Sequence, residues 1–142
     1  MAFRGYISSR PFGGQRVPQH IQNLVVRDYC QRNGLQYLLS ATELAMLNSF
    51  LMLTQLQDDI EKLDGIVFYS LGQLPEEDKQ RVELFRRVIS AKRCIHFSVE
   101  GLCITDWASA RRVEQILQVQ SVMPGCLSTK SLSLALSDRA HG

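Results

Sequence analysis

The sequence predicts an α/β domain: a three-layer fold in which a parallel sheet of four to five strands carries helices on both faces. Three observations lead there. Short runs rich in aromatic and β-branched residues, around Tyr6-Ile7, Ile66-Val67-Phe68-Tyr69 and Cys94-Ile95-His96-Phe97, have the length and composition of buried strands. The longer segments between them carry apolar residues at three- and four-residue spacing, the period of a helix packed on one side. The two kinds of segment alternate, and right-handed strand-helix-strand connections make neighbouring strands parallel.

Taken in order, residues 3–7 read as the first strand, ended by the turn-forming Ser8-Ser9. Pro18 suits a first helical turn and Gly34 a C′ position, so a helix lies between them with Ile21, Leu24, Val25 and Tyr29 inward. Residues 35–39 form a second strand, with Glu43 just past its end. A long helix over 44–63 follows. Its first half is apolar nearly all round, a pattern that calls for deep burial or for a second copy of the chain, and a homo-oligomer through this helix is expected. Asp64-Gly65 turns into the third strand, residues 70–75 form a loop, and residues 76–91 a helix with Val82, Phe85, Val88 and Ile89 inward. The fourth strand, a turn at 99–101 and a short edge strand at 102–104 lead to a last helix. Thr105 or Asp106 caps it, and Trp107, Ala110, Val113, Ile116 and Leu117 face inward. Residues 1–120 read as a single domain and 121–142 as a flexible or docking tail.

Composition narrows the function. A chain of 142 residues buries a proper core without disulfides or metal. Its formal charge of +2 argues against nucleic acid as a partner, and the arginines at 81, 86 and 87 follow Glu76, Glu77 and Asp78, an order that suits the helix dipole and a solvated face. No run is apolar enough to span a bilayer and the N-terminus has no signal-peptide core, so a cytoplasmic protein is expected. Cys30, Cys94, Cys103 and Cys126 show no C-x-x-C spacing. They read as small buried hydrophobes, and with the histidines far apart neither a metal site nor a cofactor is expected.

Most of the chemistry-bearing side chains lie in the loop over 8–17, between a strand and a helix N-terminus. Free backbone N–H groups and the positive end of a helix dipole favour phosphate or carboxylate there. Ser9, Arg10, Gly13, Gly14, Arg16, His20, Gln22 and Ser70 are the candidate anion- or substrate-binding residues. The same pattern also fits a loop whose arginines face water. In parallel sheets ligands sit beyond the carboxyl ends of the strands, and that rule gathers Ser8, Glu43, Tyr69, His96 and Glu100 as candidate catalytic groups. Each has a packing alternative. His96 between Ile95 and Phe97 also fits a core histidine, Tyr69 a ring packed on the sheet, and Glu43 and Glu100 solvated carboxylates.

The strand ending in Ser8-Ser9-Arg10, the helix with Gln22 and Arg27, the long second helix and Asp64-Gly65-Ile66-Val67-Phe68 resemble the catalytic domain of small serine recombinases (resolvases). That resemblance implies a flavodoxin-like, resolvase-like sheet and a serine, Ser8 or Ser9, that attacks DNA phosphate. The family's Leu-Asp-Arg-Leu segment is Leu71-Gly72-Gln73-Leu74 here, without the aspartate and the arginine. Phosphoryl transfer needs several cations around the transition state, so recombination is not expected. A second resemblance covers roughly residues 4–117. The runs Arg4-Gly5-Tyr6-Ile7-Ser8-Ser9-Arg10-Pro11-Phe12, Pro18-Gln19-His20-Ile21-Gln22-Asn23 and Arg27-Asp28-Tyr29-Cys30 are similar to the bacterial sporadic carbohydrate cluster family. It implies a role in making a lipopolysaccharide, capsule or related glycan, without assigning a reaction. Together these readings suggest an isomerase, epimerase or lyase using acid–base chemistry on an anionic sugar (a sugar phosphate, nucleotide-sugar or sugar acid), or a non-catalytic sugar-binding or scaffold subunit. An acid–base pair converging on the first loop separates the two.

Overall fold

The strand-forming runs pair into one sheet. A computed structural model describes residues 2–9, 16–43 and 50–122, with strands β1 (Phe3–Ser8), β2 (Tyr37–Glu43), β3 (Gly65–Phe68), β4 (Cys94–Phe97) and β5 (Leu102–Ile104). The helices are α1 (Gln19–Arg32), α2 (Leu51–Asp58), α3 (Asp78–Ser90) and α4 (Trp107–Val122), with 3-10 turns at Ile60–Lys62 and Leu71–Gln73. Strand order is β2-β1-β3-β4-β5. β1 lies parallel to β2 and β3, and β3 parallel to β4, whereas β5 runs antiparallel to β4. The expectation of an all-parallel sheet fails at β5 because Gly101 N–H closes back on Phe97 C=O at 2.8 Å. So short a turn makes a hairpin and leaves no room for a crossover helix.

Alternation along the strands divides the core. Phe3 and Ile7 of β1 and Val67 of β3 pack with Val26, Tyr29 and Cys30 of α1. Residues of the other parity, Tyr6, Ile66, Phe68, Ile95 and Phe97, are fully buried as well, with ring centroids 4.9 Å apart for Tyr6–Phe68 and 5.4 Å for Phe68–Phe97. Residues of both parities are thus buried along the strands. Gly65 is required at the head of β3, because a Cβ there would overlap the Cys94 carbonyl and the Phe3 ring. Gly34 holds φ of +67° just past the α1 C-cap, as a C′ glycine does.

Several elements differ from the sequence reading. α1 is turned by about one residue: it buries Gln22, Val26, Tyr29 and Cys30, while Ile21 and Leu24 are exposed. The backbone hydrogen bonds taken by Gln22, described below, outweigh the apolar stripe. β2 begins at Tyr37 and runs through Glu43, so Glu43 is the last strand residue. The helix expected over 44–63 is α2 followed by the 3-10 turn, with Leu53, Leu56, Ile60 and Leu63 buried; residues 44–49 lie outside the described residues. In α3, Val82 is exposed and Arg81 buried, its guanidinium donating to the Pro75 and Glu76 carbonyls and pairing with Asp78. Asp106 caps α4 by accepting from Ser109 N–H at 2.8 Å, and Trp107 is 46 % exposed rather than inward. The chain divides into two compact units, Met1–Ala110, which holds the whole sheet, and Arg111–Gly142, described as helix through Val122. The tail expected beyond α4 lies outside the described residues. Among the described residues no helix is long and apolar enough to cross a membrane.

Candidate functional site

The carboxyl ends of β1, β2 and β3 are tied together by buried polar side chains. Gln22 Oε1 accepts from Ser8 N–H at 3.0 Å, and its Nε2 donates to Ser8 C=O at 2.7 Å and Val17 C=O at 2.8 Å. Gln73 reaches across from the loop after β3, donating to Gln22 Oε1 at 2.8 Å and accepting from Tyr69 N–H at 3.0 Å. Satisfying so many buried backbone groups at a strand end is a structural task. Gln22, expected to touch a ligand, is spent on the backbone.

The expected acid–base groups are engaged in the same way. Glu43 is 1 % exposed and accepts from Tyr6 Oη at 2.9 Å and from the Met52 and Leu53 N–H groups at 3.2 Å each, so it anchors the first turn of α2. Glu100 accepts from Ser70 Oγ at 2.8 Å and Leu71 N–H at 3.1 Å, capping the 3-10 turn; burial pushes its carboxyl above the usual range. Ser70 completes a capping box with Gln73. Tyr69 packs half-buried against the α1-side core, and burial, then the Glu100 charge, raise its phenol. Ser8 is buried, and Ser9 Oγ donates to Glu43 C=O at 3.2 Å.

A groove does open beside the start of α1. Its volume is about 550 Å³ and Ile7, Gln19, His20 and Asn23 line it. Pro18 is the N-cap and its side chain makes no capping hydrogen bond, and no acidic residue occupies the first turn. The Ile21 and Gln22 N–H groups both donate to Pro18 C=O at 3.1 Å, which leaves Gln19 and His20 as the N–H groups ahead of the first intrahelical bonds. His20 and Arg16 are exposed nearby in sequence; Arg10, Gly13 and Gly14 lie outside the described residues.

A second cluster of reactive side chains, the one group among the described residues that could hold a metal ion, lies on β4 and β5. Cys94 and His96 are two apart on β4 and so share a face, and the β4–β5 register sets Cys103 opposite His96. Their ligand atoms all lie within 4.8 Å of one another. His96 Nδ1 meets Tyr29 Oη at 2.8 Å, and Phe3 stands edge-on to the imidazole with centroids 5.5 Å apart. Hydrogen bonds from Cys94 and then His96 push the Cys103 thiol down to about 5, while that from Cys103 and burial push Cys94 up: one proton serves two sulfurs. Burial raises the Tyr29 phenol. His96, expected in or after the fourth strand among the groups at the carboxyl ends, lies within β4, and its ring nitrogens meet Tyr29, Cys94 and Cys103. Spacing alone hid this group, since C-x-H followed seven residues later by Cys matches no common ligand pattern. The signal was there in the hairpin: a turn at residues 98–101 brings Cys103 back beside His96.

No family model and no curated protein matches the chain. Among solved structures, the N-terminal catalytic domain of TP901-1 integrase is similar, with a TM-score of 0.54 and 16 % identity over 84 % of this chain and 95 % of that one. At that identity the likeness concerns the fold, and it bears out the resolvase-like arrangement of strands and helices expected from the sequence.

Proposed function

We propose that this protein binds an anionic sugar, a sugar phosphate, nucleotide-sugar or sugar acid, at the groove beside the first turn of α1. We place it in the synthesis of a bacterial surface polysaccharide. The observation that carries the binding site is an open groove at a helix N-terminus whose N-cap, Pro18, offers no side-chain cap and whose first turn holds no acid. Such a terminus offers oriented N–H donors and a positive dipole end to an anion. Arg16 and His20 add charge and hydrogen bonds, and Arg10, Gly13 and Gly14 belong to the loop that leads in. The glycan pathway rests on the likeness of residues 4–117 to the sporadic carbohydrate cluster family.

On this reading the chain is a sugar-binding or scaffold subunit rather than an isomerase, epimerase or lyase. Glu43 and Glu100 spend their oxygens on helix caps, and His96 is engaged with Tyr29, Cys94 and Cys103. Right-handed crossovers then set α1 on one face and α2 and α3 on the other, a three-layer fold working in the cytoplasm. A homo-oligomer through the 44–63 segment goes with it, Leu51 being 73 % exposed at the start of α2; a size measurement at micromolar concentration checks this.

The test is a thermal-shift screen of wild type, Arg16→Ala and His20→Ala against anionic sugars, inorganic phosphate and duplex DNA at low salt. A ligand that binds the folded state raises the melting temperature. Stabilisation by an anionic sugar that both variants weaken is the expected result. No shift with any sugar anion overturns the proposal, as does a covalent phosphoserine at Ser8 or Ser9 formed on DNA.

A further inference from the structure

We propose that Cys94, His96 and Cys103 form a binding site for a thiophilic divalent cation, zinc by the chemistry of its donors. The site lies on β4 and β5, and among the described residues its fourth coordination position is left to water or a small ligand. This site is separate from the groove at α1 and stands independently of what that groove binds.

The first argument is metric. His96 Nε2 lies 3.5 Å from Cys94 Sγ and 3.7 Å from Cys103 Sγ. Zinc bonds of about 2.3 Å to sulfur and about 2.0 Å to nitrogen, at tetrahedral angles, place those atoms about 3.5 Å apart. The two nitrogen–sulfur separations thus stand close to the edge lengths of a zinc tetrahedron, and all three donor atoms lie within 4.8 Å of one another.

The second argument is the orientation of the imidazole. Its Nδ1 is held by Tyr29 Oη at 2.8 Å and its plane by the edge contact with Phe3, which leaves Nε2 aimed between the two sulfurs. A ligating histidine characteristically donates its other N–H to an oxygen that fixes the tautomer. Tyr29 supplies that oxygen from α1, making it a positioning residue.

The third argument separates metal from disulfide. Cys103 is paired with His96, so Cys94 is its diagonal neighbour across the hairpin. Diagonal positions stand about 7–8 Å apart, whereas a disulfide spans roughly 4.4–6.8 Å between Cα atoms. An ion that bonds each sulfur at over 2 Å fits this spacing, with the histidine between them as third ligand. Two thiolates and an imidazole are soft-to-borderline donors, the set that selects zinc over magnesium or calcium. Among the described residues no fourth histidine, cysteine or carboxylate joins the group. Three protein ligands with an open position are the arrangement of zinc sites that hold an exchangeable water.

The experiment uses the full chain, reduced and stripped of metal with a chelator, then titrated anaerobically with Co2+ and afterwards with Zn2+. The expected result is saturation at one Co2+ per chain, with thiolate charge-transfer absorption and the strong ligand-field bands of a tetrahedral ion, all displaced by Zn2+. Cys94→Ser and Cys103→Ser each abolish the charge-transfer band or weaken binding severely, and Cys126→Ser leaves it unchanged. Tyr29→Phe keeps the tetrahedral spectrum and loosens binding by about 10- to 100-fold. Because wild type gives the first readout, a variant that fails to fold does not decide the matter. Absence of a tetrahedral Co2+ spectrum in folded, reduced wild type overturns the proposal. So does a spectrum that survives both serine variants, or a Cys94–Cys103 cross-link in the isolated protein that, once reduced, takes up no metal.

Discussion

Tyr29 Oη and His96 Nδ1 lie 2.8 Å apart, joining the last turn of α1 to β4 on a sheet face otherwise filled by Phe3 and Val67. The contact gives both polar groups a partner inside an apolar layer, which is the condition for burying either one. Tyr29→Phe removes the hydroxyl and keeps the ring, leaving the imidazole nitrogen unpaired. We expect a loss of about 1 kcal/mol by urea denaturation in metal-free protein. A variant as stable as wild type shows that water replaces the hydroxyl.

Glu43 links β2 to α2 through a carboxylate with three donors on it, Tyr6 Oη and the N–H groups of Met52 and Leu53. Glu43→Ala removes the acceptor from all three, and the contacts of Tyr6 and Leu53 are buried. The cost is about 3 kcal/mol, which lowers the melting temperature by roughly 10 °C in a domain of this size. Calorimetry of the two proteins checks it, and a drop of only a degree or two rules out the anchoring role.

Two glycine substitutions separate close packing from backbone strain. Gly65→Ala drives a methyl into the Cys94 carbonyl and costs about 3 kcal/mol, because a strand backbone must move. Gly34→Ala meets no atom within 4 Å but keeps a positive φ, so it costs about 1 kcal/mol. The order of the two unfolding midpoints is the test, and equal midpoints refute the packing argument.

Glu100 gives a pH signature. Burial holds its carboxyl above the usual range, so the folded protein binds this proton more tightly than the unfolded chain. The resulting stabilisation is present in acid below the unfolded value and is lost as pH rises through the folded one. Glu100→Gln abolishes the titration, keeps an acceptor for Leu71 N–H and lets the Ser70 hydroxyl turn to accept. The variant should gain stability relative to wild type between acid and neutral pH. A difference in urea midpoint that stays flat over that range disproves the assignment.

The sequence revealed the class of fold through Ile66-Val67-Phe68 and Cys94-Ile95-His96-Phe97, whose apolar runs are too short for helices and too continuous for loops. It misjudged the face of α1. Ile21 and Leu24 fit the apolar stripe, yet Gln22 turns inward because three backbone groups need its amide. The catalytic reading of Glu43 and Glu100 came from their places at strand ends, a rule that locates residues without showing what else claims their oxygens.

What the chain determined by itself was local: strand runs, the Gly34 helix stop, the Asp106 cap and the tight turn before Leu102, all set by neighbours within a few residues. The tertiary structure decided everything that depends on register. Pairing β5 antiparallel to β4 set Cys103 beside His96, and packing α1 on β1 and β3 brought Tyr29 to the same ring. A one-residue slip would turn each of those side chains to the other face, so no spacing rule along the chain could have assembled them.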